Sequence, residues 1–236
     1  MSLYTVYSVD SLKNKQNTQA AAPLSGEQNR LFKLPWQEAE EGHIDCFPWA
    51  GKDAYRPESR FYLLYEKDFL YALLLTAGAH EKHPRTEVKE EQGKVSEDSC
   101  LEFFLAYDPA QKNYLNIETN AAATLHAGFG AGRGERLKEP AEALEGLRIY
   151  PVSKEAGLAV PFAYDWGVLM VLPFALIRKY WPDSSAAGFL PGTEMKGNFY
   201  KCGDLTPEAH FASCFEVKTP APDFHRPEYF GPILLA

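Results

Sequence analysis

The stretch 98–120 constrains the fold of this chain most strongly, because it carries the two-residue period of β-strands on both sides of a turn. Phe103 and Leu105 belong to the apolar face of the first half, and Leu115 and Ile117 belong to that of the second half. The intervening residues, DPAQK, are typical of a turn. The stretch therefore predicts two neighbouring antiparallel strands that share one apolar face.

Matching these apolar faces sets the register of the two strands and places Glu102 directly opposite Glu118 on the other face. Like charges directly opposite each other on a sheet are unfavourable. The pair therefore needs compensation by a basic side chain, a cation, a shared proton or a polar ligand that both carboxylates contact. The sequence leaves a structural ion network and a binding site open as alternatives.

Strand patterns recur along the whole chain, whereas a helical pattern occurs once, in PFALIRKYWP. This organisation predicts an all-β fold, an antiparallel β-sandwich of the immunoglobulin or jelly-roll kind with one short helix. A chain of 236 residues can bury one large core, so we expect a single domain over residues 1–236. The polar, Ala-rich residues 10–30 are predicted to form a mobile connection.

The net charge of −8 disfavours nucleic acid as a partner, because affinity for phosphate backbones comes from clustered Lys and Arg. No stretch of 18 apolar residues is present, so no membrane span is expected. The N-terminal residues lack the pattern of a signal peptide. We therefore expect a cytoplasmic location for the chain as written, and a secreted or periplasmic one if a leader has been removed.

The four cysteines, Cys46, Cys100, Cys202 and Cys214, show no CxxC spacing and so no zinc or redox motif. Cys202 and Cys214 could face each other across neighbouring strands. The spacings favour buried free thiols over a disulfide framework.

Several segments that cover most of the chain form a recognisable series. They are LPWQEAE, RFYLLYEKDFLYALL, DSCLEFFL followed by YLNIETN, WGVLMVLPFALI, NFYKCGD and FHRPEYFG. In this order they resemble carbohydrate-binding module family 9, which is related to the DOMON-type sandwiches, and the last two segments are the most specific.

The resemblance implies a β-sandwich that binds sugars and that is associated with xylanases and other glycoside hydrolases of polysaccharide catabolism. It also implies a sugar held between two Trp side chains and a possible structural Ca²⁺. Trp36 and Trp49 are the candidates for this clamp, because Trp166 lies in a strand motif and Trp181 on the helix. Asp98 and Asp204 are the candidate calcium ligands.

We expect a non-catalytic module that recognises a β-linked glycan or its breakdown products. Flat aromatic faces contact sugar rings, and planar polar groups contact their hydroxyls. The predicted carbohydrate-binding residues are Trp36, Trp49, Glu102, Asn116, Glu118, Tyr200, His225 and Arg226.

Three alternatives remain open from the sequence. The first is a glycoside hydrolase that uses Glu102 and Glu118, since cross-strand carboxyl groups can lie about 5 Å apart, as in retaining enzymes. The second is a protein-interaction sandwich whose aromatic loops form the interface. The third concerns His225 and Arg226, which could instead anchor the final strand by hydrogen bonds to backbone carbonyls.

Overall fold

The computed structural model describes residues 3–13, 26–108, 110–134, 136–138, 144–182 and 189–236. Thirteen strands and three short α-helices lie within these ranges. The strands are β1 (Tyr4–Ser8), β2 (Glu41–His43), β3 (Glu58–Glu66), β4 (Phe69–Ala77), β5 (Cys100–Ala106), β6 (Tyr114–Asn120), β7 (Leu125–Gly130), β8 (Arg136–Lys138), β9 (Arg148–Ser153), β10 (Trp166–Pro173), β11 (Glu194–Gly203), β12 (His210–Ser213) and β13 (Gly231–Leu235). The helices are α1 (Val9–Lys13), α2 (Glu27–Phe32) and α3 (Phe174–Tyr180).

The strands form two layers that share β1. The front sheet has the order β8-β7-β6-β5-β11-β13-β1, with β12 paired to β11. The back sheet has the order β1-β3-β4-β10-β9, with β2 paired to β3. Strand β1 pairs in parallel with β13 through its first residues and with β3 through Tyr7 and Ser8, so it joins the two layers at one edge.

The predicted all-β sandwich is confirmed, with two differences in detail. The two pairings of β1 are parallel, whereas the sequence predicted an antiparallel sandwich. Two further helices, α1 and α2, accompany the predicted α3. Their apolar residues Val9, Leu12 and Leu31 are buried with the outer face of the back sheet, and such a face requires a cover.

The core between the sheets contains three stacked aromatic rings. Phe199 of β11 lies between Phe61 of β3 and Phe103 of β5, with ring centroids 3.6 and 4.5 Å away. All three side chains are fully buried. The register predicted from apolar matching is confirmed, since Leu105 pairs with Leu115 and Phe103 with Ile117.

Two sequence-based expectations concern segments outside the sheets. The predicted mobile connection over residues 10–30 stays a prediction: α1 and α2 lie at its two ends, and residues 14–25 are outside the described ranges. Among the described helices, none combines the length and the apolar character that crossing a membrane requires.

A buried polar cluster lies at the end of β11. Lys201 Nζ is 3.4 Å from Glu81 Oε1 and donates a hydrogen bond of 2.7 Å to His210 Nε2. Trp166 Nε1 donates to the other oxygen of Glu81 at 2.7 Å. Burial, followed by the positive charge of Lys201, lowers the pKa of His210 to about 4. His210 is therefore neutral in the folded protein at neutral pH.

We expect Phe199→Ala to lower the free energy of unfolding by about 3–5 kcal/mol, because it removes the central ring of the stack and leaves a cavity. Urea denaturation followed by fluorescence measures this loss. Phe162→Ala, at a half-buried position outside the stack, is the matched control and should cost less. Equal losses in the two variants would contradict the central role of Phe199.

A second prediction concerns acid stability. The pKa of His210 is about 4 in the folded protein and about 6.5 in the unfolded chain. Between about pH 6.5 and about pH 4, His210 is therefore protonated in the unfolded chain but neutral in the folded protein. This difference should lower stability by up to about 3 kcal/mol as the pH falls from 7 to 4. Denaturation curves over this range should show a shallower decline for His210→Gln than for the wild type. Parallel profiles would contradict the prediction, and His83→Gln, at an exposed position, is the control.

Candidate functional site

A pocket of about 320 Å³ lies on the outer face of the front sheet. Strand geometry explains its place, because successive side chains of β5 and β11 point to opposite faces. Phe103 and Phe199 enter the core, whereas Glu102 and Cys202 line the pocket. The other polar and aromatic lining residues used below are Glu118, Arg133, Asp204, Phe211, Asp223, Phe224 and His225.

Glu102 and Glu118 pair directly across β5 and β6, as the sequence predicted. Glu102 is 2% exposed, and the Sγ atoms of Cys202 and Cys100 lie 3.1 and 3.9 Å from its Oε1. Within the described ranges, no Lys or Arg forms an ion pair with Glu102. Burial, followed by the neighbouring Cys202 and Glu118, raises the pKa of Glu102 well above its usual value.

Glu118 belongs to a chain of polar contacts along β6. Asn116 Nδ2 donates a hydrogen bond of 2.7 Å to Glu118 Oε1, and His225 Nε2 is 3.9 Å from the same oxygen. His225 Nδ1 lies 2.8 Å from Tyr114 Oη. The Oδ1 atom of Asn116 is buried and has no hydrogen-bond partner among the described residues. The face therefore retains acceptor capacity for the hydroxyl groups of a ligand.

Loop residues complete the rim of the pocket. Arg133 Nη2 is 3.1 Å from Asp223 Oδ1, and Ser96 Oγ donates to Asp204 Oδ2 at 3.0 Å. Phe224 provides an aromatic surface, and its ring stacks on buried Tyr200 with a centroid distance of 4.2 Å. The pocket thus combines carboxylates, one guanidinium group and aromatic faces.

The two Trp candidates lie in different places. Trp36 is fully buried beside the back sheet, where its Nε1 donates to the Leu31 carbonyl at 3.0 Å, and it does not line the pocket. Trp49 is half-buried and lines a neighbouring cavity of about 490 Å³, which shares Phe211 and Pro222 with the pocket. The structure therefore does not bring Trp36 and Trp49 together as a clamp.

The remaining predicted binding residues divide between the pocket and its surroundings. His225 lines the pocket, and Tyr200 lies beneath it, with its hydroxyl donating to the Phe224 carbonyl at 3.1 Å. Arg226 is exposed, lines an adjacent cavity and pairs with Asp223 Oδ2 at 2.7 Å. The side chain of His225 lies near Tyr114 and Glu118, and that of Arg226 pairs with Asp223; the anchoring of the final strand by these two residues stays a prediction.

The predictions from sequence missed Arg133, Phe211, Asp223 and Phe224. Arg133, Asp223 and Phe224 lie outside the strands, so no strand period places them on a common face, whereas Phe211 belongs to the short strand β12. Cys202 also lines the pocket and was not predicted as a site residue. The alternation in NFYKCGD could have identified it, because it places Cys202 on the same face of β11 as Tyr200.

Two of the four cysteines, Cys100 and Cys202, lie together on β5 and β11. Cys202 pairs with Phe211 in β12 and with Cys100 in β5, so it does not face Cys214. All four cysteines are free thiols. One possible metal-ligand group is present among the described residues, formed by Cys100, Glu102 and Cys202, whose ligand atoms lie within 4.8 Å of one another.

The candidate calcium ligands occupy different surroundings. Asp98 is fully buried, and its oxygens accept hydrogen bonds from the backbone of Glu87 and Val88 and from Asn120 Nδ2. Asp204 is half-buried and lines the pocket. Asp98 is therefore already held by protein donors, whereas Asp204 faces the site.

Residues 31–235 match the family model described as carbohydrate-binding family 9. The chain belongs to this family. This match confirms the resemblance seen in the sequence and agrees with the sandwich observed here.

Solved structures give the same fold. A proposed carbohydrate-binding protein from Bacteroides uniformis is 26% identical, with a TM-score of 0.73 and coverage of 99% of each chain. A family 9 module from Caldicellulosiruptor kristjanssonii in complex with glucose is 11% identical, with a TM-score of 0.57 and coverage of 100% of this chain and 96% of the other. A family 9 module from the same organism in complex with cellotriose is 13% identical, with a TM-score of 0.56 and coverage of 99% of this chain and 93% of the other. No curated protein matches the chain significantly.

The buried carboxyl of Glu102 generates a prediction about stability. In metal-free buffer at pH 7, we expect Glu102→Gln to raise the free energy of unfolding by about 1 kcal/mol or more, because the amide removes the penalty of a buried acid without a basic partner. Because the pKa of Glu102 is raised in the folded protein, its contribution to the free energy of unfolding is complete below about pH 4.5 and is lost as the pH rises through the folded pKa. The gain should therefore shrink at acidic pH.

Chemical denaturation at pH 4 and pH 7 measures this effect. Glu91→Gln, at an exposed position, is the matched control and should leave stability unchanged at both pH values. A Glu102→Gln variant less stable than the wild type at pH 7 would contradict the prediction.

Proposed function

We propose that this chain binds carbohydrate in the pocket on the front sheet and does not itself catalyse hydrolysis. The observation that carries the proposal is the facing pair Glu102 and Glu118 at the wall of a pocket that also contains the aromatic surface of Phe224. Carboxylates accept hydrogen bonds from sugar hydroxyls, and aromatic rings pack against the C–H faces of sugars. Membership of carbohydrate-binding family 9 supports this reading.

The volume of the pocket limits the size of the ligand. At about 320 Å³ it lies at the lower end of the range for ligand sites, about 300–1,000 Å³, which favours one or two sugar rings. The neighbouring cavity, lined by Trp49 and Tyr55, extends the surface beyond Phe211. We infer that additional rings of a short oligosaccharide lie against Trp49.

Short breakdown products of β-linked glycans are the ligands that we propose. The complexes of Caldicellulosiruptor family 9 modules with glucose and with cellotriose support this class. Such a ligand would place the protein in polysaccharide catabolism, after the step that shortens the polymer.

Glycoside hydrolysis is the second candidate, because Glu102 and Glu118 pair directly across two strands. The surroundings of Glu102 favour binding over catalysis: the side chain is almost completely buried and contacts two thiols. A catalytic pair must flank the scissile bond, whereas Glu102 and Glu118 lie side by side on one face of the sheet.

Calcium is a further proposal for the pocket. Asp204 is the better of the two candidate ligands, because the oxygens of Asp98 already accept several hydrogen bonds from protein donors. Calcium takes six to eight oxygen ligands, which here would include Glu118 and ligand hydroxyls. In this proposal calcium strengthens sugar binding without stabilising the core.

Calorimetric titration with glucose, xylose and their short β-linked oligomers, with calcium and with EGTA, tests the function. We expect Glu118→Gln to weaken binding of every ligand by about tenfold, which corresponds to about 1.4 kcal/mol. Trp49→Ala should weaken binding of the oligomers more than that of the monosaccharides. Glu155→Gln, at an exposed position after the back-sheet strand β9, is the control and should bind as the wild type does.

Assays for released reducing sugar on the same mixtures separate the two functions. If the wild type hydrolyses a sugar and Glu118→Gln does not, the protein is a glycoside hydrolase and the proposal of a non-catalytic module is rejected. An absence of binding to every sugar would reject the proposal, and equal affinities with calcium and EGTA would reject calcium at this site.

A further inference from the structure

Three potential metal ligands meet at the base of the pocket. Cys100 and Cys202 are direct cross-strand neighbours on β5 and β11, and Glu102 follows Cys100 on the same face of β5. The sulfur atoms of Cys202 and Cys100 lie 3.1 and 3.9 Å from Glu102 Oε1, and the three ligand atoms are within 4.8 Å of one another. Two thiols and one carboxylate therefore point toward a common centre.

These separations fit the edges of a tetrahedral zinc site. Bonds of about 2.3 Å to sulfur and about 2.0–2.2 Å to oxygen place a sulfur and an oxygen about 3.5 Å apart and two sulfurs about 3.8 Å apart. The two observed sulfur-to-oxygen distances lie on either side of that value. Small side-chain rotations would equalise them without a change in the paired strands.

Charge and chemistry favour a cation at this centre. Glu102 is almost completely buried opposite a second carboxylate, and no Lys or Arg of the described ranges forms an ion pair with it. Lys201, which precedes Cys202 on β11, points into the other face of the sheet and pairs with Glu81. Thiolate ligands select zinc and other thiophilic metals over calcium.

The surroundings also provide access and a fourth position. Cys202 and Glu102 line the pocket, so an ion can enter from it, whereas Cys100 lies fully buried behind them. Asp204 lines the same pocket, and its carboxylate accepts a hydrogen bond from Ser96. A water molecule, Asp204 or a ligand hydroxyl can complete four-coordination.

We propose that Cys100, Cys202 and Glu102 bind one Zn²⁺ ion at the base of the pocket, with the fourth coordination position open toward the ligand. The metal site does not require the proposed sugar binding, because three of its four ligands are protein side chains. It also differs from a calcium site, because two of the three ligands are sulfur.

Cobalt substitution tests the proposal on the full chain, reduced and freed of metal beforehand. Titration with Co²⁺ should give one equivalent of binding, with a thiolate-to-cobalt charge-transfer band and the visible bands of tetrahedral Co²⁺. Zn²⁺ should remove these bands by displacement, whereas Ca²⁺ should not. Cys202→Ser and Glu102→Gln should each weaken binding by at least about tenfold.

The other cysteine pair offers a matched control. Cys46→Ser and Cys214→Ser remove half-buried thiols and should leave the cobalt spectrum unchanged, because Cys46 pairs with Ser213 at the end of β12 and Cys214 directly follows that strand. Thermal unfolding of each metal-free variant shows whether it is folded before titration. If Cys202→Ser does not fold, the Glu102→Gln variant decides.

Three results would overturn the proposal. They are an absence of cobalt bands in the reduced wild type, bands that survive both Cys202→Ser and Glu102→Gln, and displacement of Co²⁺ by Ca²⁺. A metal that binds while every sugar fails to bind would reject the proposed function and leave the zinc site standing.

Discussion

The packing of Phe199 between Phe61 and Phe103 is the interaction on which the rest of this structure depends. It joins β11 and β5 of the front sheet to β3 of the back sheet through fully buried rings. Because side chains alternate between the faces of a strand, burying Phe103 and Phe199 directs their neighbours to the opposite face. The core thereby places Glu102 and Cys202 at the wall of the pocket. A one-residue slip of either strand would destroy the core and the site together.

The opposition of Glu102 and Glu118 is the feature that distinguishes the site from an ordinary sheet face. Glu118 has nearby polar partners in Asn116 and His225, whereas Glu102 contacts two thiols. A buried acid in such surroundings is costly unless it is protonated or binds a cation or polar ligand. Sugar binding and metal binding both supply that compensation, at the mouth and at the base of one pocket.

Much of this organisation could be predicted from alternation alone. The pairing of Glu102 with Glu118 followed from matching apolar faces, and so did the assignment of Asn116 to the same surface. Trp36 was predicted to contact the sugar but lies in the core. The sequence could not decide between these places, because a Trp in such a motif can be a core residue or a ligand contact. Its burial beside the back sheet depends on packing that local sequence does not encode. Phe224 was not singled out, because irregular loops carry no period from which a face can be read.

The sequence by itself determined the sandwich, the register of β5 with β6 and the family, because these depend on local alternation and on recognisable segments. Only the tertiary structure decided which distant residues meet. Cys202 reaches Cys100 because β11 pairs with β5, although the two strands are far apart along the chain. Arg133 and Asp223 meet across the rim in the same way. Long-range pairing is set by the burial of whole faces, which no single segment specifies.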